Sequence, residues 1–371
     1  MKKYISLVLV LAVVLSCFSF ISASAATYEK PDNYSEMAGL LTALNIADEN
    51  LVNEQRNITR AEFTKLVVNA SGLSQFVTAN VVYPPFSDVD VNNEFAPYIE
   101  LAKSKKLALG YSDGSFKPND TVSVMEAVVY LIRLLGYSDI AEDKGGYPSG
   151  YQSIAYSIDL MTSVNIPLSS DLTVDCAVNL IFNALNTNVL MMNDITNDSY
   201  SIEAGKPLMY KSFRLVKEKG IVEGVDLTSL VGPNDVKPYH IRINDNLIDV
   251  DTLSTYDLLG YNVNAYYQET ENGNILKYIC EASNKNNVSV IKISDIYNIS
   301  NYTITETNEN GNDRIYKYIR GASIIYNGVS TNELFNLSML NDIEGNKLQG
   351  EVKLLDNNNA KTYYVIFINA Y

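Results

Sequence analysis

The sequence predicts an α+β multidomain protein, with an N-terminal α-helical bundle of three related modules followed by one or two antiparallel β-rich domains. Two observations carry this: an apolar stripe that occurs three times before residue 190, and a change of pattern after about residue 197. Aligning Thr59, Ser123 and Thr173 brings Phe63, Ala127 and Ala177 into register, then Leu66, Tyr130 and Leu180, Val67, Leu131 and Ile181, and Ala70, Leu134 and Ala184. Apolar positions at i, i+3, i+4 and i+7 mark a helix with one buried face. A helix pair of this size cannot bury its stripes alone, so three related units are expected to pack on one another.

The chain opens with Lys2 and Lys3, an apolar run from Ile5 to Ile21, and Ala23-Ser24-Ala25. That is the layout of an export signal, expected over residues 1–26. Module 1 is then assigned to 27–80, module 2 to 81–140, module 3 to 141–197 and the β-rich region to 198–371. In module 1, Ala38, Leu41 and Leu44 form an upstream helix that leaves through Ile46. Thr59-Arg60-Ala61-Glu62 then has the spacing of a capping box, with Thr59 and Glu62 each bonding the other's backbone N–H. Gly72 ends this helix, Gly136 ends its copy, and Asn186 is expected to take the same place in the third.

Module 2 has its upstream helix around Tyr98, Ile99 and Ala102, with Leu107 as the apolar exit. It also carries the lead-in Phe86-Ser87-Asp88-Val89 and the loop Gly110-Tyr-Ser-Asp-Gly-Ser-Phe-Lys-Pro118, in which Asp113-Gly114 signals a tight turn. Module 3 keeps Ile154, Ile158, Met161 and the exit Ile166 but shortens the loop to Pro167–Ser170. Beyond it, Val263–Tyr267, Ile275–Ile279, Val288–Ile291, Ile315–Ile319 and Tyr363–Ile368 are β-branched and aromatic, with Gly, Asn and Asp between them. These are expected to form small barrels or sandwiches, with a short helix near 329–340.

Composition narrows the partners. A net charge of −15 argues against nucleic acid, whose binding depends on clustered Lys and Arg, and against anionic membrane surfaces. No second long apolar run follows the signal, so no membrane span is expected after its removal. Cys176 and Cys280 form neither a disulfide framework nor a metal cluster, and no cofactor is expected. His240 is the sole histidine and has no nucleophile motif beside it, so the chain reads as no enzyme.

The motifs together resemble S-layer homology modules, the cell-wall anchoring repeats of Gram-positive surface proteins. Phe86–Val89, Gly110–Pro118 and Thr59–Glu62 carry the resemblance, which spans roughly residues 33 to 190. It implies a secreted cell-wall or S-layer protein whose modules bind a secondary cell-wall polysaccharide, often one bearing a pyruvate ketal. It further implies a pseudo-threefold bundle with pockets in the grooves, where the motif arginine meets the ketal carboxylate beside the glycine-containing loop. Carried onto this chain, the site residues are Arg60 with Thr59 and Glu62, and Gly110, Asp113 and Gly114 of the loop. A guanidinium fork matches a carboxylate, and a helix N-terminus would add free N–H donors. Module 2 has Val124 and module 3 has Val174 where the arginine belongs, and Cys176 replaces the third glutamate. Residues 27–190 carry ten basic against twenty acidic side chains, an unfavourable field for an acidic polymer. The alternative is that the modules serve as a structural or self-associating scaffold of the surface.

Overall fold

The computed structural model describes residues 27–371 except 79, 195–198, 227, 231–235, 251–252 and 308–309. The expected signal, residues 1–26, lies outside the described residues. The helical part comprises α1 (Tyr34–Ala43), α2 (Glu49–Val52), α3 (Arg60–Ala70), α4 (Ala96–Ser104), α5 (Val124–Leu134), α6 (Ser138–Asp143), α7 (Ser149–Ser157) and α8 (Val174–Asn186). The aligned helices are α3, α5 and α8, and each starts where its cap requires. Thr59, Ser123 and Thr173 are extended residues whose hydroxyls accept from the backbone N–H three residues on. Gly72 and Gly136 sit just past α3 and α5 with φ of +74° and +84°, the left-handed stop that glycine adopts at little cost. Asn186 departs from expectation. It belongs to α8, and Thr187 turns the chain extended and straight into the first strand at Asn188.

The three modules close around a pseudo-threefold axis through backbone bonds that run in a ring. The N–H of Ile58 donates to Leu172 O at 2.9 Å, that of Leu172 to Val122 O at 2.8 Å, and that of Val122 to Ile58 O at 3.2 Å. All three side chains are fully buried. Each element of the ring immediately precedes one of the aligned helices, so the three helix starts converge on the axis.

The β part begins with β1 (Asn188–Asp194) and β2 (Ser199–Pro207), a hairpin, followed by α9 (Leu208–Phe213). Next come β3 (Leu215–Val225), β4 (Thr228–Ser229), β5 (His240–Ile243), β6 (Asn246–Asp249), β7 (Asn262–Thr270) and β8 (Gly273–Glu281). The first half of β3 pairs with β7 and the second half with β5, across an irregularity between Val222 and Gly224. The sequence of neighbours β3-β5-β6-β8-β7 therefore returns to β3 and closes a barrel. A bulge of this kind bends a strand so that it serves two partners.

The last unit holds β9 (Asn287–Lys292), β10 (Ile296–Ser300), β11 (Thr303–Thr307), β12 (Asp313–Tyr326), β13 (Val329–Thr331), β14 (Gly350–Asp356) and β15 (Tyr363–Ala370). The order is β10-β11-β12-β15-β14-β9, with β13 added to β12. The sheets are mostly antiparallel, as expected, but β6–β8 and β12–β15 are parallel pairs. The helix expected near 329–340 is instead β13 and a 3-10 turn over Leu337–Leu340.

Three cores result. The bundle core reaches into the barrel through Leu215 and Tyr266, and the barrel core takes in Ile325, Leu355 and Val365 from the last sheet. A third core around Ile291, Ile304, Phe335 and Ile366 lies within the last unit. Burial pushes the Cys176 thiol up to about 12, so it is an inert core residue.

Candidate functional site: the groove between modules 1 and 2

Arg60 opens α3, yet its side chain leaves module 1. It is 3% exposed and reaches the loop and helix start of module 2. Its Nε donates to the carbonyl of Phe116 at 2.8 Å, and Nη1 donates to Glu126 Oε1 at 2.6 Å. The guanidinium lies 4.6 Å from the ring centroid of Tyr111 and 5.0 Å from that of Phe116. Tyr111 also donates its hydroxyl to Glu126 Oε1 at 2.9 Å, and Lys117 lies 4.6 Å from its ring. A cation in the first helical turn is disfavoured by the helix dipole. The Glu126 carboxylate and the aromatic faces offset that.

The lead-in motif positions this arrangement. Asp88 accepts from the backbone N–H of Phe116 and of Lys117, each at 2.7 Å, which pins the loop to the start of module 2. Phe86 stacks on Phe116 with centroids 5.2 Å apart. The Phe116 carbonyl is thereby presented to Arg60. Gly110 has φ of +71°, and a Cβ there would lie 2.4 Å from Phe86 Cε1, so both the turn and this stacking require glycine. Asp113 accepts from the N–H and hydroxyl of Ser115, and the Gly114 carbonyl accepts from Ser87. These two residues shape the exposed tip of the loop, whereas the hydrogen bonds of the Arg60 side chain go to Phe116 and Glu126.

Thr59 and Glu62 form the predicted capping box, with Glu62 Oε2 accepting from the Thr59 N–H at 2.9 Å. Glu62 has a further partner that the spacing did not reveal. Arg56 grips it with two bonds, at 2.9 and 2.6 Å. The free donors expected at the helix start are also taken. The N–H of Arg60 donates to Asp120 O and that of Ala61 to Pro118 O, and Val124 and Met125 donate likewise to Ser170 and Leu168. Neighbouring modules satisfy these donors because the ring brings a loop carbonyl onto each helix start.

The two other grooves repeat the geometry with different chemistry. The pseudo-threefold relation that pairs Arg60 with Glu126 relates Val124 to Cys176 and Val174 to Glu62. Val124, Cys176 and Val174 are all fully buried. Where the cation is lost, its acidic counterpart is either lost with it or supplied with another arginine.

Burial pushes the Glu126 carboxyl up, but the Ser123 N–H, the Arg60 charge and the Tyr111 hydroxyl outweigh it and hold the group below the usual carboxylate range. A carboxyl with a lowered folded pKa stabilises the fold above its unfolded value of about 4.3, and that contribution is lost as pH falls through the folded value. Glu126→Gln should therefore cost most stability near neutral pH, and the gap from wild type should close in acid. Thermal melts across an acid series check this; a gap that stays constant with pH removes the ion pair from the account.

Lys117, Tyr111 and Glu126 join the site although the sequence reading did not select them. Glu126 caps α5 together with Ser123, as Glu62 caps α3 with Thr59, but its role in binding Arg60 crosses between modules. Elsewhere, His240 Nδ1 lies 2.8 Å from the Pro238 carbonyl, and Asp356 accepts from the N–H groups of Asn358, Ala360 and Lys361.

Part of this region matches a known family. Residues 85–128, which hold the lead-in, the Gly110 loop and the start of α5, match the family model of the S-layer homology domain. The chain is 31% identical over 175 residues to the middle cell wall protein of Brevibacillus brevis, covering 45% of this chain and 16% of that protein. It is 23% identical over 412 aligned residues to the surface layer protein of Brevibacillus choshinensis, covering 99% of this chain and 36% of that protein. A cell surface protein of Thermoanaerobacter kivui is 28% identical over 173 residues, 45% of this chain and 22% of that protein. The chain thus spans well under half the length of these relatives. No helix of the described residues is long and apolar enough to cross a membrane. The chain carries an S-layer homology module at residues 85–128 and is a protein of the cell wall or cell surface.

Proposed function

We propose that the modules anchor the chain non-catalytically to the cell wall by binding an acidic secondary cell-wall polysaccharide in the groove between modules 1 and 2. The observation that carries this is the meeting of Arg60, Lys117 and the Gly110 loop around Tyr111, where modules 1 and 2 join. Tyr111 is the gate of that groove. It is 37% exposed, and the Arg60 guanidinium and the Lys117 ammonium each lie 4.6 Å from its ring centroid. Rotating Tyr111 outward uncovers Arg60 and leaves Lys117 beside it, so that a ketal carboxylate gains a charge-assisted partner. Thr59, Glu62, Gly110, Asp113 and Gly114 act by holding the helix start and the loop in place.

The second reading also has an observation behind it. Arg60 is already paired with Glu126 and Phe116, which suits modules that have become an assembly scaffold. Sedimentation of the full mature chain with purified sacculi separates the two. Anchoring predicts co-sedimentation with native sacculi, loss after polymer extraction, and loss of most binding in a folded Arg60→Ala variant. Folded wild-type protein that stays in solution with native sacculi overturns anchoring and favours the scaffold.

A further inference from the structure

The last unit contains a cleft of about 430 Å³ that lies far from the Arg60 groove in sequence and belongs to a different core. Its floor is a stretch of β12 that its neighbours leave bare. β11 pairs with β12 as far as Lys317, the turn residue Tyr302 accepts from the Tyr318 N–H at 2.9 Å, and β13 pairs with β12 only from Ile324 onward, so residues 319–322 have no partner on this side among the described residues. On the other side the register with β15 breaks between Tyr318 and Ser323. Gly321, with φ of +82°, sits in this interval, and a Cβ there would meet nothing within 4 Å. One wall is the turn of the β10–β11 hairpin, where Asn301 and Tyr302 have φ of 50° and 60°. That two-residue left-handed turn holds the Tyr302 ring up, 42% exposed, edge-on to Tyr318 at 5.8 Å. Tyr318 in turn meets Phe335 at 6.1 Å. The opposite wall carries Asn332 and Glu333.

These features select a ligand class. The volume is in the range of small-molecule sites. Aromatic faces, backbone donors and acceptors, and the free amide and carboxylate groups of the rim suit a ligand with apolar ring faces and many hydroxyls. Among the described residues no lysine or arginine lines the cleft, and Glu333 stands on its rim, so an anionic sugar is disfavoured. An added peptide strand is disfavoured as well, because the bare stretch is closed at one end by the hairpin turn and at the other by Thr331, which pairs with Ile324. We propose that this cleft binds the end of a neutral oligosaccharide, about two pyranose rings deep, with one ring face stacked on Tyr302 and hydroxyls bonded to Asn301, Asn332 and the bare β12 backbone.

The test is calorimetric titration of the full mature chain with N-acetylchitotriose, maltotriose and the anionic trigalacturonate. A neutral trisaccharide should bind, and trigalacturonate should not. Tyr302→Ala should weaken binding about tenfold, the loss of one aromatic contact. Asn332→Trp, which fills the cleft, should abolish it, and Arg60→Ala should leave it unchanged. Both residues are exposed, and thermal melts establish that the variants fold; should Tyr302→Ala unfold, Asn332→Trp decides. Silence from both neutral sugars, equal binding of trigalacturonate, or binding that survives the cleft-filling substitution overturns the assignment.

Discussion

Replacing Glu36 by alanine should destabilise the chain by about 3–5 kcal/mol, the range for leaving a buried ion pair without one partner. Glu36 belongs to α1 of module 1, is 4% exposed, and is bonded wholly by the barrel. Lys217 donates to it at 2.6 Å, Asn264 at 3.0 Å, and the Tyr266 hydroxyl at 2.5 Å. Removing the carboxylate strands one charge and two polar groups at an interface that excludes water. The same contact relies on Gly39, where a Cβ would lie 2.2 Å from the hydroxyl of Tyr278. Because α1 is the seam between bundle and barrel, the loss should also uncouple them. Calorimetry should show the melting transition moving down and dividing into two, since separate domains no longer unfold as one unit. An unchanged single transition would mean that the apolar part of the seam, not the carboxylate, joins the domains.

The second large effect concerns Arg60 and its partner. Arg60→Val alone leaves Glu126 without its cation, and Glu126→Cys alone leaves a buried guanidinium with only the Phe116 carbonyl. Each should cost about 2–4 kcal/mol, below the fully buried range because the Glu126 side chain is 26% exposed. The double variant imports the Val124–Cys176 combination from the neighbouring groove, where the same backbone geometry is packed without charge. It should cost less than the sum of the singles by about 1–3 kcal/mol. Denaturant titration of the four proteins gives the coupling directly. Strict additivity would show that Arg60 is held by its stacking on Tyr111 and Phe116 and not by Glu126. Replacing a buried pair by apolar groups is often neutral, which explains how two of three grooves can have lost it without losing the bundle.

This bears on how the acidic field of the modules is handled. The net charge of the region is negative, but the cations that matter sit at the helix starts, each beside a specific carboxylate. An anionic polymer would have to compete with Glu126 for Arg60. The Tyr111 gate and the exposed Lys117 make that competition local, so binding should depend on one groove and not on bulk charge.

Much of the fold was legible because it is set by short-range chemistry. Three capped helices with their apolar stripes and the two glycine stops follow from residues within a few positions of one another. Alternating β-branched and aromatic runs placed β7, β8, β9, β12 and β15 correctly. The departures arose where a neighbour intervenes. Asn186 continues α8 because Thr187 leads directly into β1, and the 329–340 segment is recruited by β12 as β13. The parallel pairs β6–β8 and β12–β15 join strands that are not consecutive, which no local pattern records.

The candidate site divides in the same way. The sequence by itself determined that Thr59 and Glu62 start a helix, that Gly110 and Gly114 turn a loop, and that Arg60 is out of place in a first helical turn. Only the tertiary structure decided what answers that arginine. Its carboxylate partner lies 66 residues away in the next module, and the partners of Glu36 lie 181 to 230 residues away. A helix cap is satisfied within one turn, so its residues declare it. A buried charge is satisfied by whatever the packing of modules and barrel brings within hydrogen-bond reach, and that is fixed only when the cores close.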